Sequence, residues 1–186
     1  HSLNYSAMLN ATVKLPNDKN LGVNFAANYN TATDKMASLY SLLTQGADPS
    51  SDFRNRYDHN KQSNYQLLGS IDYALIEKEH GNMFHKLFAT YNIDHRHQQG
   101  NRKYYRFDRL GGDWALPDRK YLGQLPSTTD SLALATDWAN TYKTTTSQTM
   151  HTAELRYLLM SGGLTFNATL PMAFTRNVID DLRMKD

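Results

Sequence analysis

The chain has 186 residues, with 20 Lys and Arg against 18 Asp and Glu, 12 Tyr, 7 Phe and no Cys. The near-balanced charge gives no basis for nucleic-acid binding, and the lack of Cys excludes disulfides and Cys-ligated metal centres. No run approaches the ~18 apolar residues of a membrane helix, yet the aromatic residues are too many for a disordered chain.

Six segments alternate apolar and polar residues with a period of two, which is typical of a strand with one apolar face. The first is the clearest, because every odd position from Leu3 to Leu15 is apolar. A helical period would instead mix apolar residues with Asn10 and Lys14. The pattern predicts strands near 3–15, 21–30, 64–76, 84–95, 150–160 and 164–175. Their apolar registers contain no charged residue.

Short and long connections alternate along the chain. The short turns are 16–20, 78–82 and 161–163, and we expect long outer loops over 31–63 and 96–149. In the second loop, Arg102–Phe107 and Thr141–Thr149 could prolong the neighbouring strands. The alternation of short and long connections predicts an all-β fold, an antiparallel up-and-down meander of about six long strands. Pro171 predicts a bend in the last strand or its departure from the sheet, because Pro cannot donate to the ladder.

The length of the alternating segments indicates what their apolar faces contact. They reach ~11–13 residues, whereas strands of soluble domains have about 5–6 and transmembrane strands ~9–11. Four apolar-register tyrosines lie toward the long-loop end of their strands, where an interfacial girdle would lie: Tyr5, Tyr29, Tyr65 and Tyr91. We therefore expect a transmembrane β-barrel in contact with outer-membrane lipid.

These patterns resemble the outer-membrane β-barrels of the Bacteroidota TonB-dependent-receptor-like family, which includes the SusC-type transporters. The resemblance rests on two strand–turn–strand units, Tyr65–Phe88 and His151–Phe174, and on the long links rich in Tyr, Asn, Asp and Arg. It implies a bacterial outer-membrane protein that imports a nutrient with energy from a periplasmic partner protein. A surface lipoprotein is a further partner that the resemblance implies.

We expect residues 1–186 to be one internal segment of a larger barrel. Six strands are fewer than the about eight that close the smallest common barrel. The end of the chain, Arg183 to Asp186, does not resemble the aromatic end of such proteins. The remaining strands of the parent barrel would then be partners of this segment.

The second long loop carries the residues expected to contact a ligand. Aromatic rings stack on sugars or peptides, and Arg provides a polar fork for hydroxyls or carboxylates. The candidate residues are Tyr104, Tyr105, Arg106, Trp114 and Trp138. His95 and His97 have a spacing that could hold a metal, but the sequence shows no third ligand, and a solvated strand end is favoured.

The sequence shows no Ser/His/Asp arrangement and no phosphate-binding loop. We therefore expect no enzymatic activity, no cofactor, no metal and no nucleic-acid partner. The main functional expectation is a segment of a TonB-dependent transporter or receptor. Two alternatives are a structural or adhesive outer-membrane barrel and a soluble β-sandwich that binds carbohydrate.

Overall fold

The computed structural model describes residues 1–16, 19–44, 50–116 and 119–183. Most of them belong to six strands: β1 Ser2–Lys14, β2 Asn20–Thr44, β3 Ser50–His80, β4 Met83–Arg106, β5 Tyr142–Ser161 and β6 Leu164–Arg183. All pair with their sequence neighbours in one antiparallel sheet of order β1 to β6. The predicted all-β, up-and-down meander of six strands is thus confirmed. Because β1 and β6 do not pair with each other, the sheet is open.

One end of the sheet, called here the short-turn end, holds the tight reversals. Gly81 and Asn82 join β3 to β4, and Gly162 and Gly163 join β5 to β6. The φ angles of Gly162 and Gly163 are 54° and 86°, as in a two-residue hairpin turn whose twist suits the flanking strands. Glycine adopts such positive angles without a steric cost.

The opposite end, called here the extended end, differs from the prediction of a long outer loop over 31–63. Here β2 and β3 continue as a paired hairpin, with unbroken register from Leu21 opposite Tyr73 to Thr44 opposite Ser50. The prediction failed because both faces of this hairpin carry polar residues, so the alternation that marks a half-buried strand is lost. Residues 45–49 lie outside the described part of the chain.

The expected loop 96–149 is also partly strand. β4 continues to Arg106 and β5 begins at Tyr142, which confirms most of the two prolongations expected there. The connection between them holds 3-10 helices at Phe107–Leu110, Gly112–Ala115, Arg119–Tyr121 and Trp138–Asn140, and a short α-helix, α1, at Thr129–Ala135. Among the described residues, no helix is long and apolar enough to cross a membrane.

The connection packs onto the extended end through a small apolar cluster. Phe107 and Ala135 are fully buried there, together with Tyr57 of β3. Ala37, Tyr105, Leu110, Trp114 and Leu132 pack around them. Within the described residues, the buried hydrophobic core consists of Tyr57, Phe107 and Ala135. The rest of the sheet therefore has no apolar core of its own.

β6 does not leave the sheet at Pro171, so that alternative of the prediction is wrong. β6 pairs with β5 without interruption, and Pro171 lies directly opposite Glu154. In an antiparallel pair, every second residue directs its N–H away from the neighbouring strand. A Pro at such a position of an edge strand breaks no bond of the ladder.

Pairing brings the six apolar registers onto one face of the sheet, called here the apolar face. Directly paired residues form rows across the strands, and two of these rows serve as references on the apolar face. The first row is Leu9, Phe25, Gly69, Ile93, His151 and Phe174. The second is Val13, Leu21, Tyr73, Ala89, Leu155 and Leu170. The opposite face, called the polar face, carries Asn, Ser, Thr, Gln and charged residues.

The apolar residues form a band that crosses the rows diagonally. On β1 the band ends near Val13, next to the short turn, whereas on β6 it continues six residues past the row of Val13, from Leu170 to Leu164. At the other edge, the band begins at Leu3 on β1. On β6 it ends at Phe174, which lies in the row of Leu9, six residues from the row of Leu3. The apolar band is therefore inclined to the hydrogen-bonding direction.

The four tyrosines of the expected girdle are not all in one row. Tyr5, Tyr29 and Tyr65 are directly paired, and the rings of Tyr5 and Tyr29 stack with centroids 6.3 Å apart. Tyr91 lies six residues nearer the short-turn end, opposite Ile71, and its hydroxyl is 2.7 Å from Nδ1 of His151. Tyr91 thus lies deeper within the apolar band than the other three.

Candidate functional site

The polar face of the extended end carries a cluster of arginines. Because residues two apart share a face of a strand, β3 and β4 each present two of them, and the register sets Arg56 directly opposite Arg106. A cleft of about 260 Å³ lies between these side chains. Its lining, called here the arginine cleft, comprises Arg54, Arg56, Arg102, Tyr104, Arg106, Asp137 and Asn140.

The connection between β4 and β5 closes one side of the arginine cleft. The backbone N–H of Asp137 donates to the carbonyl of Tyr104 at 2.8 Å, and Thr141 Oγ1 accepts from the N–H of Tyr104 at 3.1 Å. The amide of Asn140 donates to the carboxylate of Asp137 at 3.0 Å. These bonds hold the two polar side chains of the connection at the cleft.

Arg102 is fixed by a forked ion pair with Asp58 on the neighbouring strand. Its Nε donates to both carboxylate oxygens at 3.0 Å, and its Nη2 also donates to Oδ2. Such bidentate pairs restrain the plane of the guanidinium as well as its position. The hydrogen bonds to Asp58 raise the pKa of Arg102, so the group stays charged in the cleft.

A second ion pair fixes Arg106. Its Nε donates to Asp108 Oδ1 at 2.9 Å, and its Nη2 donates to Oδ2 at 2.6 Å. The same carboxylate accepts the backbone N–H of the buried Asn55 at 3.1 Å. Asp108 therefore ties the start of the connection to both β3 and β4.

Arg56 has an unmatched donor at this site. Its Nε is buried and has no hydrogen-bond partner among the described residues. Its guanidinium lies 5.3 Å from the ring centroid of Tyr40 and directly opposite the like-charged Arg106 in the register. Like charges that face each other across strands are destabilising, and an anion between them would remove both the repulsion and the unmatched donor. The arginine cleft is thus suited to a carboxylate or phosphate group.

The structure separates the five predicted ligand-contact residues. Tyr104 and Arg106 line the arginine cleft. Tyr105 points to the other face and packs in the apolar cluster, where burial raises the pKa of its hydroxyl. Trp114 packs edge-on against Phe107 and stacks on Tyr121 with centroids 4.6 Å apart. Both residues therefore stabilise the connection in this structure, and a role in ligand contact remains a prediction.

Trp138 lies in the last 3-10 helix, next to Asp137, and remains partly exposed. It does not line the arginine cleft. The residues that sequence reasoning missed are Arg54, Arg56, Arg102, Asp137 and Asn140. The sequence does contain a signal for β3. Charged residues occupy every second position at Arg54, Arg56 and Asp58, within the segment 31–63 that is predicted to be a loop.

His95 and His97 lie on the apolar face, at the edge of the apolar band. Nδ1 of His95 is 2.8 Å from Thr149 Oγ1, and Nδ1 of His97 is 2.8 Å from Ser147 Oγ. The ring of His97 also stacks on Tyr65, with centroids 5.0 Å apart. Among the described residues, no group of three His, Asp or Glu side chains is arranged to hold a metal ion.

Comparison with known proteins leaves the family open. No model of a protein family matches this chain. A search of curated proteins gives no match either.

Proposed function

We propose that the six strands are part of a transmembrane β-barrel in a bacterial outer membrane, within a TonB-dependent nutrient transporter or receptor. The observation that carries the membrane location is the inclined apolar band. The transport role rests on the family resemblance of the sequence.

The inclination of the apolar band gives an estimate of strand tilt. The band shifts six residues along the strands from β1 to β6. With about 3.4 Å per residue and about 4.8 Å between strands, this shift corresponds to a tilt of about 40°. Strands of outer-membrane barrels are tilted by about 35–45° and carry an apolar belt about 25 Å tall. At that tilt, both edges of the band become level across all six strands, about 20–25 Å apart.

The exposure of the apolar face also supports a lipid environment. Leu9 and Phe174, at opposite sides of the sheet, are 62% and 64% exposed. Large exposed apolar patches on a protein mark a surface that another apolar phase covers. The described strands form a single sheet, with no second layer against this face. A bilayer would cover the face, whereas a soluble β-sandwich would need a second sheet to do so.

The two edges of the sheet are the contacts for the remaining strands of the barrel. Unpaired backbone N–H and C=O groups in hydrocarbon cost several kcal/mol each, so spanning sheets close on themselves. β1 has no Pro between Ser2 and Lys14, and its one charged residue is Lys14. We therefore place further strands next to β1 and β6 in the working protein.

In this arrangement, the polar face lines the interior, and the arginine cleft lies at its outer entrance. The cleft would take an anionic group of the imported nutrient, as a carboxylate or a phosphate. A periplasmic energy-coupling protein and a surface lipoprotein are the partners that this transport role implies. A structural or adhesive barrel remains the alternative, because its lipid contacts would be the same.

The membrane topology can be tested with inserted tags on intact cells. A tag after Gln124, an exposed position of the β4–β5 connection, should be reached by antibody from outside. A tag between Gly162 and Gly163 should become reachable only after the outer membrane is opened. Labelling of the Gly162 tag on intact cells would contradict this topology.

The transport role needs a separate experiment. A strain that lacks the protein should grow poorly when one anionic nutrient is the limiting carbon or iron source. The gene with Arg56→Gln should restore growth only at higher nutrient concentrations. Normal growth on every nutrient, together with altered surface adhesion, would favour the structural or adhesive barrel.

A further inference from the structure

Charge is distributed unevenly on the apolar face of the extended end. Beyond the row of Tyr5, Tyr29 and Tyr65, the strands place four lysines and one histidine there. The lysines are Lys35, Lys61, Lys103 and Lys143, and the histidine is His59. Asp180 is the one acidic residue that the described strands place on this part of the face. The whole chain has a net charge of only +2, so this surface concentrates positive charge.

These four lysines and His59 form a compact group, called here the basic patch: Lys35, His59, Lys61, Lys103 and Lys143. The register sets Lys35 and Lys103 on either side of His59, in one row. Lys61 and Lys143 lie in the adjacent row on this face, separated by Asn101. The charges of Lys35, Lys103 and Lys61 add to burial in lowering the pKa of His59.

The basic patch differs from the polar face behind it. On that face, Asp58 and Asp108 are paired with Arg102 and Arg106. The ion pairs of the described residues include none with a lysine of the basic patch. Neighbouring cations without counter-ions repel each other, so an anionic surface at this height would stabilise the fold.

The height of the basic patch is set by the strand tilt. At about 40°, its residues lie ~10–20 Å beyond the apolar band, and lysine side chains can reach several ångströms back toward the membrane. A phospholipid headgroup region is only about 5–8 Å thick on each side. The patch therefore matches a glycolipid whose phosphorylated sugars extend further from the bilayer.

We propose that the basic patch binds phosphate groups on the sugar headgroups of an anionic glycolipid in the surrounding outer leaflet. This inference rests on the proposed membrane location. It adds a lipid contact that is separate from the arginine cleft, since the two sites lie on opposite faces of β3 and β4.

The test uses the complete barrel that contains this chain, reconstituted in phosphatidylcholine vesicles that contain rough lipopolysaccharide with phosphorylated core sugars. A second set of vesicles contains the same lipopolysaccharide after enzymatic dephosphorylation. Co-purified glycolipid is then quantified after detergent extraction. We expect strong retention of the phosphorylated form and weak retention of the dephosphorylated form.

Two double variants with equal charge loss show whether the basic patch is responsible. Lys61→Gln with Lys103→Gln should weaken retention by at least about tenfold, because each lysine near an anionic surface contributes about fivefold. Lys14→Gln with Arg156→Gln removes two cations from the polar face and should leave retention unchanged. Equal retention of both lipids, or equal loss in both variants, would overturn the proposal.

Three further outcomes distinguish other causes. Competition by inorganic phosphate at the affinity of the lipid would show a free-phosphate site and overturn the lipid assignment. Failure of the complete, unmodified barrel to insert into any vesicle would instead contradict the proposed membrane function. Insertion without a phosphate preference contradicts the glycolipid contact alone.

Discussion

The two halves of the sheet are built differently from the same strands. In the short-turn half, one face is apolar and exposed, and no described side chain there is buried as a core residue. In the extended half, both faces are largely polar, and the connection after β4 covers part of the sheet with a small buried cluster. The first half depends on its surroundings for stability, whereas the second carries its own core.

In the proposed membrane protein, this difference assigns a surrounding to each half. An apolar face without a protein cover is stable only against another apolar phase. Ion pairs such as Arg102 with Asp58 and a buried cluster around Phe107 suit a part of the protein in water. The boundary between the two halves runs along Tyr5, Tyr29 and Tyr65, whose amphipathic rings suit an interface.

The largest effect is expected from opening the buried cluster of the extended half. Phe107 is completely buried, so Phe107→Ala should destabilise this half by about 3–5 kcal/mol. Amide hydrogen exchange should accelerate in Tyr104–Arg106 and around Tyr57, whereas the amides of Ile71 and Ala89 should keep their protection.

The matched control is Leu134→Ala, in an exposed position of α1. It should change exchange little in either half. Faster exchange throughout the apolar band in Phe107→Ala would show that the two halves are not independent.

A charge within the apolar band should have the next largest effect. Ala89→Arg places a cation near the middle of the band on β4, at an expected cost of about 2–4 kcal/mol in a bilayer. Ala26→Arg makes the same change on the polar face of β2, which faces the interior of the proposed barrel, and should cost much less. Unfolding in lipid vesicles measures both costs. Equal destabilisation by the two variants would contradict the assignment of faces.

The next prediction tests whether a ligand binds at the arginine cleft or at the aromatic residues of the connection. Citrate, as a carboxylate probe, should bind about tenfold more weakly to Arg56→Gln, since hydrogen bonds to charged groups contribute about 1.5–3 kcal/mol. Trp138→Ala should bind citrate as tightly as the unmodified chain, because Trp138 does not line the cleft. Isothermal titration calorimetry gives both affinities. Weaker binding by the Trp138 variant alone would favour the aromatic residues.

The smallest effect concerns the protonation of His59. Burial and the charges of Lys35, Lys103 and Lys61 lower its pKa below 6.5. Folding therefore favours the neutral ring, so the contribution of His59 to stability is present above pH 6.5 and is lost as the pH falls. Lys103→Gln should raise this pKa, and phosphorylated glycolipid should raise it further. NMR titration of the ring protons measures the change, and a pKa that does not respond to either would argue against the basic patch.

The sequence predicted the short-turn half well, because its alternation records which face avoids water. The order of the strands, the turn at Gly162 and Gly163, and the shared face of the six apolar registers all followed from this pattern. The extended half was less predictable, since a strand with two polar faces has no periodic signal. Segments 31–44 and 50–63 therefore resembled loops, although backbone pairing makes them strands.

The arginine cleft depended on information that a sequence pattern does not contain. Asp58 and Arg102 are 44 positions apart, and only the register of β3 and β4 brings them together. Tyr104 and Arg106, two of the residues proposed from the sequence, line the cleft, but the sequence could not separate them from Tyr105. Successive side chains of a strand point to opposite faces, which separates Tyr105 from its two neighbours. This separation can be predicted only if residue 105 is known to lie in a strand.

The most direct test of the account is the depth of two residues that share a row. The chain has no Cys, so single Cys variants can carry a nitroxide label whose access to oxygen and to a water-soluble nickel complex gives its depth. Leu9 and Phe174 lie in one row of the sheet. An inclined apolar band predicts that a label at Leu9 is deep in the bilayer and a label at Phe174 is near the interface. The row of Val13 and Leu170 should show the opposite order, with Leu170 deep. Equal depth along each row, or greater access to nickel than to oxygen at Leu9 and Leu170, would contradict a tilted transmembrane sheet.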